Sequence, residues 1–138
     1  MKTAHVVWLA LAASGVIAMA QEDEAFTAGM KAINGATGAL RKMEKKAGPE
    51  AVASAEKIAG VYEEMIGFWR QRNAADAVKA SEEGKSAALS LASAASAGDA
   101  DKAAAAFSTL SGTCKSCHDA HRERLPDGKY KFKVMKQK

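Results

Sequence analysis

Along most of this chain, apolar residues recur every three or four positions, which is the spacing of one face of an α-helix. The repeat begins near residue 22 and stops near residue 125. In the first segment the recurring positions are Phe26, Met30, Ile33, Thr37 and Leu40. In the last segment they are Ala103, Phe107, Leu110, Cys114, Cys117 and His121. The pattern is typical of helices that bury one face against each other.

Helix-ending and helix-starting residues divide the repeat into four predicted helices. Pro49 ends the first helix, 22–47, and suits the first turn of the second. Asn73, with Asp76 three residues later, predicts the N-terminal cap of a third, alanine-rich helix. Asp99 favours the start of the fourth, because acidic side chains stabilise helix N-termini. Four helices joined by short connections predict an all-α, antiparallel up-down four-helix bundle.

The first twenty residues predict a signal peptide rather than part of the bundle. Lys2 precedes an apolar stretch from residue 6 to residue 18, which is shorter than a membrane-spanning helix. The sequence Ala-Met-Ala at 18–20 is typical of a cleavage site. We therefore expect cleavage of residues 1–20, export to the periplasm and no stable membrane insertion of the mature chain.

The last residues follow a different pattern. After Leu125 the residues PDGK predict a turn, and the chain then alternates lysine with apolar residues. A solvated tail is compatible with this alternation, and so is a strap whose Tyr130 and Phe132 pack on the bundle. We divide the mature chain into one domain, 21–125, and a basic C-terminal tail, 126–138.

Composition and charge exclude several classes of function. The 138-residue chain has 20 Lys and Arg and 16 Asp and Glu, and loss of Lys2 leaves the mature chain a net charge of +3. So mild an excess argues against a nucleic-acid partner. The sequence also has no glycine-rich phosphate-binding loop, and we expect no enzymatic activity.

Both cysteines of the chain lie in the sequence CKSCH, residues 114–118. On an ideal helix Cys117 projects about 60° to one side of Cys114, and His118 about 40° to the other. All three side chains therefore leave the helix within one narrow arc. The C-x-x-C-H pattern is typical of covalent haem c attachment. It predicts thioether bonds to Cys114 and Cys117, and His118 as an iron ligand.

Three other uses of these residues are less compatible with the sequence. A lone disulfide between Cys114 and Cys117 would close only a small ring. A thioredoxin-like redox pair is expected in a βαβ context, and the helical pattern offers none. Zinc would need Cys114, Cys117, His118 and His121, but ligands crowded on one helix cannot easily surround a tetrahedral ion.

The C-terminal GTCKSCHDAHR, the small helical domain and the predicted export resemble class II c-type cytochromes, the cytochrome c′ group. The resemblance implies one covalent haem c held by Cys114 and Cys117, with His118 as the proximal ligand. It places Arg122 near the proximal face of the haem. His121 stands where relatives usually have an aromatic residue, which is a departure from the family pattern.

The opposite face of the iron distinguishes two kinds of relative, six-coordinate electron carriers and five-coordinate gas binders. In an up-down bundle Met30 and Met65 both reach the level of His118, so either could be the sixth ligand. Resemblance to the methionine-ligated relatives favours Met30. Many five-coordinate members carry an arginine where Phe26 stands here. Phe68 and Trp69 are expected to close the haem pocket beside Met65, and Phe26 is a further candidate for the haem environment.

These residues predict a periplasmic protein that carries single electrons between redox proteins. The alternative is a five-coordinate protein that binds small gases such as NO or CO. A third class, a haem-free bundle for protein interaction, would require the cysteine motif to be accidental. A homodimer is compatible with the sequence, which contains nothing that decides the oligomeric state.

Overall fold

The computed structural model describes the backbone of residues 6–133 and the side chains of residues 23–133. The elements follow in chain order as helices α1 (Val6–Lys42), α2 (Pro49–Gln71), α3 (Ala75–Ser96) and α4 (Ala100–His121), and strands β1 (Arg122–Arg124) and β2 (Tyr130–Phe132). Each helix packs on the next one in the chain, α1 on α2, α2 on α3 and α3 on α4. The predicted all-α four-helix bundle is confirmed.

The predicted signal peptide is not covered by this description. Residues 1–5 lie outside the described residues, and residues 6–20 are described only as backbone of α1. Cleavage after residue 20 stays a prediction. Among the described residues, no helix is both long enough and apolar enough to cross a membrane.

Local chemistry explains where most of the helices begin and end. Gly48 has a φ of +85°, a left-handed conformation that favours glycine, and Pro49 then opens α2 as predicted. The Asp99 side chain caps α4 by accepting a hydrogen bond from the Lys102 backbone N–H at 3.0 Å. Helix α1 ends at Lys42, five residues earlier than its predicted end.

The predicted cap of α3 at Asn73 is wrong. The residue at the N-terminal cap is Ala74, and no side chain caps the helix there. Asn73 instead takes a left-handed φ of 52° in the turn after α2, a conformation that asparagine tolerates better than most residues. Asp76, expected to support the cap, bonds His121 of α4 instead. Asp76 therefore contacts a residue of another helix instead of supporting a cap at Asn73, as the spacing of the two residues had predicted.

The core combines a few large aliphatic side chains with many alanines. Helix α3 buries almost only small residues, so α2 and α4 can approach it closely. The recurring positions predicted for α1 and α4 are buried or half-buried. The largest fully buried side chains come from all four helices: Leu40, Ile58, Leu91 and Leu110.

One glycine allows a close approach that leads into the functional site. A Cβ atom at Gly84 of α3 would lie 2.5 Å from Cζ of Tyr62 on α2. The tyrosine ring therefore lies directly against the glycine backbone. By contrast, a Cβ atom at Gly60 of α2 would meet no atom within 4 Å.

We expect Gly84→Ala to lower the free energy of unfolding by about 1–3 kcal/mol, because the added methyl group forces the buried Tyr62 ring to move. Gly60→Ala is the matched control. It should raise the free energy of unfolding by about 0.5–1 kcal/mol, since alanine is the better helix former. Urea unfolding of the haem-loaded proteins measures both, and equal effects of the two changes would contradict the close contact.

The chain beyond α4 forms a hairpin that crosses the predicted boundary at residue 125. Strands β1 and β2 are antiparallel, and the turn between them is closed by a hydrogen bond from Leu125 N–H to the Lys129 carbonyl at 2.7 Å. The predicted turn is confirmed. Phe132 packs on the bundle as the strap interpretation requires, 5.1 Å from Phe26 between ring centroids. Tyr130 lies under the guanidinium of Arg122 instead.

Candidate functional site

A cleft of about 680 Å³ lies between α1 and α4. Among the described residues these two helices do not pack along each other, although every other pair of neighbouring helices does. We call this space the α1–α4 cleft. Its volume lies within the range of about 300–1,000 Å³ that ligand pockets occupy. Its walls come from all four helices and from the hairpin.

The predicted haem-binding residues meet in this cleft. Cys114, Cys117 and His118 all line it from α4. Both cysteines are half-buried free thiols. Burial raises the pKa of Cys117, and the charges of Asp76 and Cys114 add to the effect, so the protonated thiol is favoured.

His118 is held in the form that binds a metal. Partial burial lowers its pKa, and the neighbouring Arg122 guanidinium lowers it further, against a smaller opposite effect of Asp119. Neutral imidazole is the ligand form of histidine. The motif therefore presents two thiols and a neutral imidazole to one space.

Tyr62 connects α2 to the first cysteine of the motif. Its hydroxyl lies 3.4 Å from Sγ of Cys114, and its ring is seated on Gly84. Burial raises the pKa of Tyr62, and the adjacent Cys114 raises it further. The phenol is therefore neutral, and one end of the motif is held from a different helix.

Both candidate methionines line the cleft from helices other than the one that carries His118. Met30 of α1 is half-buried and Met65 of α2 is only 3% exposed, and both line the cleft. A Cβ atom at Gly29 would lie 3.4 Å from Cε of Met65. Met65 is thus wedged between α2 and α1, whereas Met30 stands at the edge of the core.

A cluster of aromatic rings contributes to the lining of the cleft. Phe26 and Trp69 line the cleft, with ring centroids 5.4 Å apart, and Phe132 of the hairpin lies 5.6 Å from Trp69. Phe68 lies outside the lining and packs behind Phe26 at 4.3 Å. The structure therefore brings Phe26 to the predicted environment and places Phe68 behind it.

His121, the departure from the family pattern, is a buried structural residue. It is 8% exposed, and its Nε2 lies 2.9 Å from Oδ2 of Asp76. Its ring lies 5.0 Å from that of Trp69. The carboxylate provides a hydrogen-bond partner for a ring nitrogen, and the ring keeps contact with an aromatic neighbour. Arg122, the next residue, lines the cleft.

The residues of the cleft fit a covalently bound haem. Two thiols, two imidazoles, two thioether sulfurs and five aromatic rings line a space large enough for a bulky flat ligand. Thr37 Oγ1 is buried in this lining without any hydrogen-bond partner. A buried hydroxyl left unpaired is costly, so its position is consistent with a polar group of a ligand in the cleft.

Sequence reasoning did not identify Tyr62 or Thr37 as site residues. Tyr62 follows Ile58 by four positions and so shares its helix face. A tyrosine on an otherwise apolar face indicates a buried hydroxyl that needs a polar partner, and this could have identified Tyr62. Thr37 was recognised on the buried face of α1 but not as an unpaired hydroxyl. No feature of the sequence shows that its hydroxyl lacks a partner.

Comparison with known proteins identifies the family of this chain. A family model described as Cytochrome C′ matches residues 18–122, about three-quarters of the 138 residues. No curated protein and no solved structure matches the chain. Proteins of the matched family bind one covalent haem c. The chain therefore belongs to the cytochrome c′ family and is a haem c protein.

Proposed function

We propose that this protein carries single electrons between redox proteins in the periplasm, with His118 and Met30 as the two axial ligands, and that it is not an enzyme. The observation that supports the ligand pair is the placement of these two side chains. His118 lines the α1–α4 cleft from α4, and Met30 lines it from α1. A ligand bound between the two helices can therefore be reached from both faces.

The chain supplies attachment, orientation and exclusion of water. Cys114 and Cys117 would hold the haem through thioether bonds, and the contact with Tyr62 orients Cys114. The haem iron supplies the one-electron couple. Phe26, Trp69 and the other aromatic rings limit the access of water to the cleft. Burial and methionine ligation both raise a haem reduction potential, which suits a carrier that cycles between two oxidation states.

The periplasmic location is supported by the signal peptide predicted at residues 1–20 and by the family, whose members are typically periplasmic. Members also often form dimers. Size-exclusion chromatography of the haem-loaded protein tests whether this chain does so.

The unmutated protein distinguishes the carrier from a gas-binding member of the family. We expect low-spin visible spectra in both oxidation states, because a methionine sulfur fills the sixth position. Carbon monoxide should bind the reduced protein slowly or weakly, since it must displace a ligand held by the bundle. Stopped-flow absorbance after mixing with carbon monoxide measures this. A high-spin protein that binds the gas at once would favour the five-coordinate, gas-binding alternative.

A further inference from the structure

The positive charge of this chain is concentrated at its C-terminal end. Residues 21–121 carry 12 Lys and Arg against 14 Asp and Glu, a net charge of −2. Residues 122–138 carry 7 against 2, a net charge of +5. The last segment alone makes the mature chain basic. Apart from Arg122, this segment also lies beyond the match to the family model, which ends at residue 122.

The described part of this segment lies at the opening of the α1–α4 cleft. Residues 122–133 contain the β1–β2 hairpin, and all of their side chains are exposed except that of Leu125, which is half-buried. Arg122 and Lys131 of the hairpin line the cleft. Among the described residues, the cleft lining contains four Lys and Arg and no Asp or Glu. The hairpin thus extends a positive surface outward from the haem site.

The hairpin also exposes aromatic side chains. Leu89, Tyr130 and Phe132 are the exposed large apolar residues of the described part of the chain, and two of the three belong to β2. Tyr130 is 53% exposed and lies 4.0 Å from the Arg122 guanidinium. Arginine, tyrosine and phenylalanine are enriched in protein–protein interfaces. The hairpin surface therefore combines positive charge with side chains that are common in protein–protein interfaces.

We infer that the hairpin, residues 122–133, is the docking surface for an acidic face of a redox partner protein. The inference rests on the proposed carrier function and identifies the partner's chemistry. Complementary charge raises the rate of encounter and orients the two proteins. A partner that docks on the hairpin faces the opening of the cleft, so an electron crosses a short path. An anionic membrane would also attract the hairpin, but it presents no redox centre there.

Two variants of equal net charge test the docking surface. Arg124→Glu/Lys129→Glu changes the hairpin at two exposed positions that do not line the cleft. Lys45→Glu/Lys57→Glu changes two exposed residues near the start of α2. Lys57 lies about 18 Å along that helix from Trp69 at the helical rise. Unchanged haem spectra would show that both variants keep an intact site.

The measurement is the rate at which the reduced haem-loaded protein gives one electron to ferricyanide, which becomes ferrocyanide. At about 10 mM ionic strength, where the Debye length is about 30 Å, the hairpin variant should react about tenfold more slowly. The control should slow less than about twofold, and the difference should vanish near 1 M salt. Poly-glutamate, an acidic polypeptide, should inhibit the unmutated protein and the control but not the hairpin variant.

Three outcomes would overturn the inference. Equal slowing of both variants would show that only net charge matters, and no slowing of either would show that the hairpin does not steer anions. Hairpin-dependent binding to phosphatidylglycerol vesicles at about 150 mM salt, without inhibition by poly-glutamate, would identify a membrane as the occupant. Failure of the carrier function is distinguishable, because it appears in the spectrum of the unmutated protein rather than in the comparison of variants.

Discussion

Alanine at both Cys114 and Cys117 should give a mature protein with no covalent haem. The two thiols are the only cysteines of the chain, so no other side chain can form the thioether bonds. Mass spectrometry of the denatured protein, expressed in cells that mature c-type cytochromes, should give the mass of the bare polypeptide. The unmutated protein should carry the added mass of one haem. A bare-polypeptide mass for the unmutated protein would contradict the assignment.

Ser116→Ala is the matched control for this change. Ser116 lies between the two cysteines on α4, but its side chain is exposed, so haem attachment should be unchanged. Loss of haem should also destabilise the fold, because the α1–α4 cleft of about 680 Å³ then lacks its apolar occupant. We expect the melting temperature of the double alanine variant to fall by at least about 10 °C. A haem-free protein of equal stability would show that the cleft closes without a ligand.

Met30→Ala should convert a low-spin iron into a high-spin one that binds carbon monoxide readily. The methionine side chain is expected to occupy the sixth position, and alanine cannot reach it. Loss of the sulfur ligand should also lower the reduction potential, by an amount on the order of 0.1 V. Visible spectra, stopped-flow gas binding and a potentiometric titration measure the three effects.

Met65→Ala is the control. We expect it to destabilise the fold without changing the spin state of the iron. Met65 is 3% exposed, and its Cε would lie 3.4 Å from a Cβ atom at Gly29 of α1. Its truncation should cost about 2–5 kcal/mol of unfolding free energy and leave the iron low-spin. If Met65→Ala alone opens the iron to carbon monoxide, Met65 is the ligand and the carrier function still stands. If neither variant changes the spectrum, neither methionine is the ligand.

Much of the fold could be predicted because helix patterns are local. The recurring positions of α1 and α4, Pro49 at the start of α2 and the Asp99 cap all depend on residues within one or two turns of each other. The failure at Asn73 has the same origin. The spacing of Asn73 and Asp76 is that of a helix cap, but the Asp76 side chain instead contacts His121, 45 positions along the chain.

Some parts of the candidate site could be predicted from the sequence more completely than others. The C-x-x-C-H spacing predicts a covalent haem c with His118 as its proximal ligand, because the haem constrains three side chains on one helix turn. The sixth position is harder. Met30 and Met65 both line the α1–α4 cleft, and the choice between them depends on how each side chain packs rather than on where it falls along its helix.

The sequence by itself determined which residues form helices, which faces those helices bury and that the chain attaches haem c. Each of these follows from residues at spacings of three or four, within reach of one helix. Only the tertiary structure decided that Tyr62 contacts Cys114 across 52 positions, that Thr37 lacks a partner and that residues 122–133 form a hairpin beside the cleft. Those contacts join side chains from different elements, and their geometry depends on the packing of the whole bundle, which no local spacing encodes.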